Sequence, residues 1–198
     1  MSHAWGQTEI RGITNIETDG IISDTVNNRP NKAFEKRLKL KPIDKSDSDF
    51  EIRFYNLASL SNTNNLRVIT YKNDQWASFE YDEWNKPRKI KKYILYPTTD
   101  FPAFIAKLLD QKFTRLPNQS ELQNKMKKFT TLNGGKAEQK INVLDGSGYT
   151  MEFRFADSFR IYQFSNPDSY SEFYSDVEEL KNYVAIKNLF ETELLRKE

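Results

Sequence analysis

Trp76-Ala-Ser-Phe-Glu-Tyr81 and, 72 positions further on, Tyr149-Thr-Met-Glu-Phe-Arg-Phe155 alternate apolar and polar residues around a central glutamate, Glu80 or Glu152. Outward from each, the order repeats. Lys92-Tyr-Ile-Leu-Tyr-Pro97 answers to Arg160-Ile-Tyr-Gln-Phe164 with Pro167 beyond, and Ile105, Leu108, Leu109 and Phe113 recur 81 positions later as Ile186, Leu189, Phe190 and Leu194. A pattern used twice constrains architecture more than any local propensity. The expected fold is α+β: a mostly antiparallel sheet of about seven to eight strands with helices packed on one face, built from two tandem strand-strand-strand-helix units.

The expected division is an extended arm over 1–35, a strand-rich unit with its closing helix over 36–115, and a short helix plus a second unit with a long C-terminal helix over 116–198, all sharing one domain. Arg37-Leu-Lys-Leu-Lys41 alternates like a half-buried strand ended by Pro42. Phe50, Ile52 and Phe54 face one core, between Glu51, Arg53 and Tyr55. Leu66 to Tyr71 and Trp76 to Tyr81 form a hairpin closed by Lys72-Asn-Asp-Gln75, and Lys91 to Tyr96 returns beside it. Asp100 or Thr99 caps a helix with Pro102 in its first turn and Phe101, Phe104, Ile105, Leu108, Leu109 and Phe113 as its buried stripe.

Ser120-x-x-Gln123 has the form of a capping box ahead of Leu122, Met126 and Phe129, predicting a short helix stopped by Asn133-Gly-Gly135. Ile141 to Leu144 and Tyr149 to Phe155 are expected to form a hairpin around Asp145-Gly-Ser-Gly148. A last helix begins near Ser171 and carries Phe173, Val177, Leu180, Val184, Ile186, Phe190 and Leu194. Its acidic first half and basic end suit the helix dipole.

Composition excludes several chemistries. The chain has no cysteine and a single histidine, His3, so disulfides, thiolate or histidine-held zinc, and serine- or cysteine-histidine catalysis are ruled out. Thirty basic and 28 acidic side chains leave a charge of +2, too little to attract nucleic acid or membrane over the whole surface. No apolar run approaches the ~18 residues of a membrane span. The Asp145-Gly-Ser-Gly148 turn lacks the endings of a phosphate-binding loop and the spaced acids of a calcium loop, so no cofactor or metal is expected. Ala4-Trp-Gly6 before Gln7 has the small-x-small form of a signal-peptidase site, which makes an extracytoplasmic location, periplasmic or secreted, the expectation.

Asp82 to Lys92 reads as a basic excursion absent from the shorter matching turn Ala156-Asp-Ser158, with Trp84 set among Lys86, Arg88, Lys89, Lys91 and Lys92. The alternative is that Trp84 folds back over the core and the lysines guard a strand from pairing. Tyr55, Trp76, Trp84, Arg88 and Lys89 are the candidate partner-binding residues, being mostly of the types that concentrate interface energy.

Three readings of function fit. The first is a non-enzymatic binding protein that recognises a protein partner through a sheet face or the Trp84 loop. The second is a carboxylate-based hydrolase with a cleft between the units, drawing on a pair such as Glu80 and Glu152, although alternation points both glutamates at solvent. The third is weak binding of nucleic acid or another acidic polymer through the basic loops and a second run at Arg29, Lys32, Lys36, Arg37, Lys39 and Lys41. No motif supports specific nucleic-acid recognition.

Overall fold

Because successive side chains of a strand point to opposite sides, β1 (Phe50–Ala58) sends Phe50, Ile52 and Phe54 to one face and Glu51, Arg53 and Tyr55 to the other. The same alternation recurs in β2 (Thr63–Lys72), β3 (Gln75–Asn85), β4 (Arg88–Pro97), β7 (Ser147–Phe155) and β8 (Ser158–Ser165). These strands and the short β9 (Leu194–Arg196) form one antiparallel sheet in the order β8-β7-β1-β2-β3-β4-β9. The computed structural model describes residues 10, 13, 31–58, 62–132, 134–144, 146–155 and 158–197.

The first face carries the main core. Phe50, Ile52 and Phe54 meet Met151 and Phe153 of β7 and Tyr162 and Phe164 of β8, and are covered by α2 (Phe101–Asp110), α3 (Pro167–Phe173) and α4 (Glu178–Asn188). Asp100 caps α2 as expected, its carboxylate accepting from the Ala103 N–H at 2.7 Å. Phe54 lies at the centre of an aromatic stack, 4.4 Å from the Phe190 ring and 5.5 Å from Tyr149. Ile10 and Ile13 are buried in the same core. In the β2–β3 turn, Asn73 and Asp74 both take left-handed backbone angles, which these two residue types tolerate and a two-residue hairpin loop requires.

The second face is covered only in part. α1 (Lys32–Leu38) lays Phe34 and Leu38, one helical turn apart, on Tyr55, Leu66, Val68 and Tyr81. Arg37 to Lys41 is therefore not the strand its alternation predicted. Phe34 and Leu38 are spaced to face the sheet together, and Lys39 ends the helix in the left-handed region. The arm expected over 1–35 includes the start of this helix.

Three further expectations are corrected. Leu122 to Phe129 is no helix: a 3-10 turn (Gln119–Leu122) leads to a separate hairpin of β5 (Lys128–Leu132) and β6 (Gly135–Gln139). Ile141 to Leu144 is irregular rather than a strand, and β7 pairs with β1 instead. The last helix is broken between α3 and α4 and then opens into a π turn (Leu189–Glu193). Phe173 and Tyr174, about 100° apart on a helix, both pack on the main core, and a bend between the helices permits this.

Strand-strand-helix order recurs as β3-β4-α2 and β7-β8-α3, joined through the shared sheet. Glu80, however, faces the helices, whereas Glu152, paired with Arg53, points to the second face. No described helix is long and apolar enough to cross a membrane. The Ala4-Trp-Gly6 motif, most of the N-terminal arm, Asn133, Asp145 and the Ala156-Asp157 turn lie outside the described residues.

Candidate functional site

Arg88 to Pro97 is one strand, β4, joined to β3 by a tight Lys86-Pro87 turn with a cis peptide bond. The basic loop expected over Asp82 to Lys92 is thus a hairpin end. Trp84 sits in β3 opposite Lys89, with the Lys91 ammonium 5.7 Å from its ring centre. Strands of 11 and 10 residues that stay paired up to Asn85 and Arg88 leave no room for an excursion.

Alternation along β4 has a consequence for the surface. Ile90, Lys92, Ile94 and Tyr96 all point to the second face, beyond the reach of α1, and Leu195 of β9 lies opposite Tyr96. Ile90 is 39% exposed, Ile94 53%, Tyr96 45% and Leu195 47%. Ile94 is paired with half-buried Phe79 of β3, so the apolar strip continues inward to the α1 cluster. The Lys92 ammonium stands 3.6 Å above the Phe79 ring and 5.5 Å from that of Tyr81, and partial desolvation there lowers its pKa. Arg88 is exposed on the same face, while Lys89 and Lys91 flank the strand from the other.

Of the residues singled out from sequence, Trp84, Arg88 and Lys89 meet at this hairpin end. The other two do not join them. Tyr55 has no exposed surface: it lies beneath α1 and donates to Glu35 Oε1 at 2.7 Å, with Glu152 Oε2 at 3.4 Å. Burial, then the nearby Glu152 charge, pushes its hydroxyl pKa well above the ordinary range. A residue so enclosed cannot be an interface contact. Trp76 is half-buried on the first face, stacked 5.4 Å from Phe101 and close to Phe50 and Tyr71. The exposed apolar residues not singled out from sequence are Ile90, Ile94, Tyr96 and Leu195. Starting the strand at Arg88 rather than Lys91 puts the first three on one side, with Lys92 between Ile90 and Ile94.

The chain matches no known family model, characterised protein or solved structure.

Glu80 and Glu152 do not form a pair. Both are buried, at 1% and 0% exposure, on opposite sides of the sheet, which corrects the expectation that they face solvent. Glu80 accepts from Arg196 Nε at 2.5 Å, Asn65 Nδ2 at 2.6 Å and Arg67 Nε at 3.1 Å, and Arg196 also reaches Asp82 at 2.5 Å. Arg67 donates in addition to the Phe190 carbonyl of the π turn. This network holds β9 and the π turn to the sheet. Between α2 and the C-terminal helix lies a small cavity of about 270 Å³ bordered by Asp110 and Glu193, the latter 2.5 Å from the Lys107 ammonium. Among the described residues, no three acidic or histidine side chains are arranged to hold a metal ion.

The ion pairs carry a pH dependence. Burial raises the Glu80 carboxyl pKa, but hydrogen bonding from Arg196 and Asn65 and the Arg67 charge outweigh it and leave the net shift downward. Glu83, on the second face, is lowered chiefly by Arg37, which holds it through two hydrogen bonds of 2.5 and 2.7 Å and so ties α1 to β3. A carboxyl depressed in the folded state stabilises fully above its unfolded pKa, about 4.3 for glutamate, and loses that stabilisation as pH falls through the lower folded value. Urea midpoints are therefore expected to hold between about pH 7 and 5 and to fall below about pH 4.3, with a shallower fall in Glu83→Gln. Equal slopes in the two proteins would show that Glu83 takes no part.

Proposed function

We propose that the protein is a binding module that docks a protein partner on the second face of its sheet, over β3, β4 and β9. The supporting observation is that Ile94, Tyr96 and Leu195 are large and exposed side by side on the second face, with Ile90 beyond Lys92 on the same strand. Patches of this kind mark interaction sites. Arg88 and Lys92, the cations on this face, set the chemistry of the partner as an apolar surface rimmed by carboxylates, because unlike charges around an apolar centre steer and orient docking. Trp84, opposite Lys89, projects to the first face and is not part of this surface.

The test is capture from native extract by wild-type protein and by Ile94→Asp, with quantitative mass spectrometry at low and high salt. Expected is a set of acidic proteins depleted at least about tenfold by the substitution, equivalent to about 1.4 kcal/mol, and weakened by salt, with an unchanged melting temperature. Equal capture by both proteins would remove this face as the docking surface. A large drop in melting temperature would assign Ile94 to the core.

A further inference from the structure

The two outer edges of the sheet differ. On β8, Asn118 Oδ1 accepts from the Gln163 N–H at 3.0 Å and Gln119 Oε1 from the Ser165 N–H at 2.6 Å, so side chains complete the strand. On β4, β9 pairs with Leu95, Tyr96 and Pro97, and the Lys197 N–H donates to the Ile94 carbonyl at 3.3 Å. Alternate residues of an antiparallel strand turn their amides and carbonyls to opposite neighbours. Because the Ile94 carbonyl faces β9, the backbone groups of Lys92 and Ile90 face outward on the same side, and no described residue bonds to them. Such a row is a template for another strand.

This edge is open and of one sign. The Lys92 ammonium lies inward, over Phe79 and Tyr81 of β3, and that of Lys91 lies toward Trp84 of the same strand, so neither side chain closes off the backbone row. Arg88, Lys89, Lys91 and Lys92 are all exposed, and β4 contains no acidic residue.

We infer that the open edge of β4 takes up an extended acidic segment of the partner as an added antiparallel strand, end to end with β9. The inference rests on the docking surface proposed above and supplies its mode of attachment. A second copy of β4 would bring like charges together. A wholly apolar strand would cover the cations without a counter-charge. A nucleic acid would meet the charges but has no peptide groups to match the backbone row. In strand addition, main-chain bonds give affinity and alternate side chains give specificity. A residue set opposite Ile90 lies with it on the second face, while its two neighbours lie beside Lys89 and Lys91 on the first. The segment that fits is therefore an apolar residue flanked on both sides by carboxylates.

The test is titration of the full chain with the capped peptide TEEVEET, which reads the same in both directions, followed by backbone amide NMR. Saturable binding is expected, with the largest shifts and slowed hydrogen exchange at Ile90 and Lys92. Methylating the valine nitrogen removes one ladder donor and keeps every charge and side chain. It is expected to weaken binding at least about tenfold, or about 1.4 kcal/mol. The peptide TKKVKKT is expected not to bind. No binding by TEEVEET, equal binding by its methylated form, or equal binding by TKKVKKT would each overturn strand addition. None of these outcomes would touch the docking surface itself, which stands or falls with capture by Ile94→Asp.

Discussion

Replacing Arg53 with alanine is expected to cost about 3–5 kcal/mol of stability, the range for removing one partner of a buried ion pair. Arg53 is 2% exposed, and its guanidinium donates to Glu51 at 2.6 Å, to Glu35 and to the Lys41 carbonyl at 2.7 Å. Burial disfavours the charge, but Glu51, Tyr55 and Glu35 reverse that, and the net pKa shift is upward. Without the guanidinium, Glu35 and Glu51, both buried, lose their shared cation. Tyr55 donates to Glu35 and Ser46 to Glu51, but both are neutral hydroxyls and neither replaces the charge of the guanidinium. Urea denaturation at pH 7 checks this. A midpoint shift worth less than about 1 kcal/mol, the scale of an exposed pair, would mean that water replaces Arg53 under α1 at little cost.

Phe54→Ala is expected to destabilise by a similar amount, about 3–5 kcal/mol, through lost burial and the cavity left behind. For a chain of this length that corresponds to a fall in melting temperature of roughly 6–20 °C. Phe54 is 1% exposed and contacts the rings of Tyr149, Phe164 and Phe190, so its loss opens the core where β1, β7, β8 and the π turn converge. Phe54→Leu keeps most of the volume and is expected to cost under about 1.5 kcal/mol. Calorimetry on both variants separates the two figures. Equal costs would indicate that ring stacking, rather than filled volume, holds the site together.

Much of the sheet was legible because large apolar residues line one side of each strand, the first face in β1 and β7 and the α1-covered second face in β3, which forces alternation. The polar side of those strands was not. Glu51, Arg53, Glu80 and Glu152 read as solvent-facing, yet all four are buried. What decides their fate is cross-strand register, which sets Arg53 beside Glu152 and Arg67 beside Glu80, and a helix, α1, contributing Glu35 from 18 positions away. Neither is visible in a single strand. α1 itself was hidden by Leu38-Lys-Leu40, whose alternation competes with the Phe34–Leu38 spacing. The proposed docking surface was obscured for a plainer reason: lysines on both sides of Ile90 suggested a loop, whereas they lie on a strand whose Ile90, Ile94 and Tyr96 share one side while Leu95 enters the main core from the other.

The two margins of the sheet are defended against polymerisation by unlike means. On β8, neutral amides occupy the hydrogen-bonding positions a neighbouring molecule would need, and ionic strength does not loosen them. On β4, β9 covers Leu95 to Pro97, and from Arg88 to Lys92 the defence is mutual repulsion between clustered cations, which dissolved electrolyte screens. Concentrated brine should therefore promote edge-to-edge association through one margin alone, giving paired molecules that cannot extend into filaments.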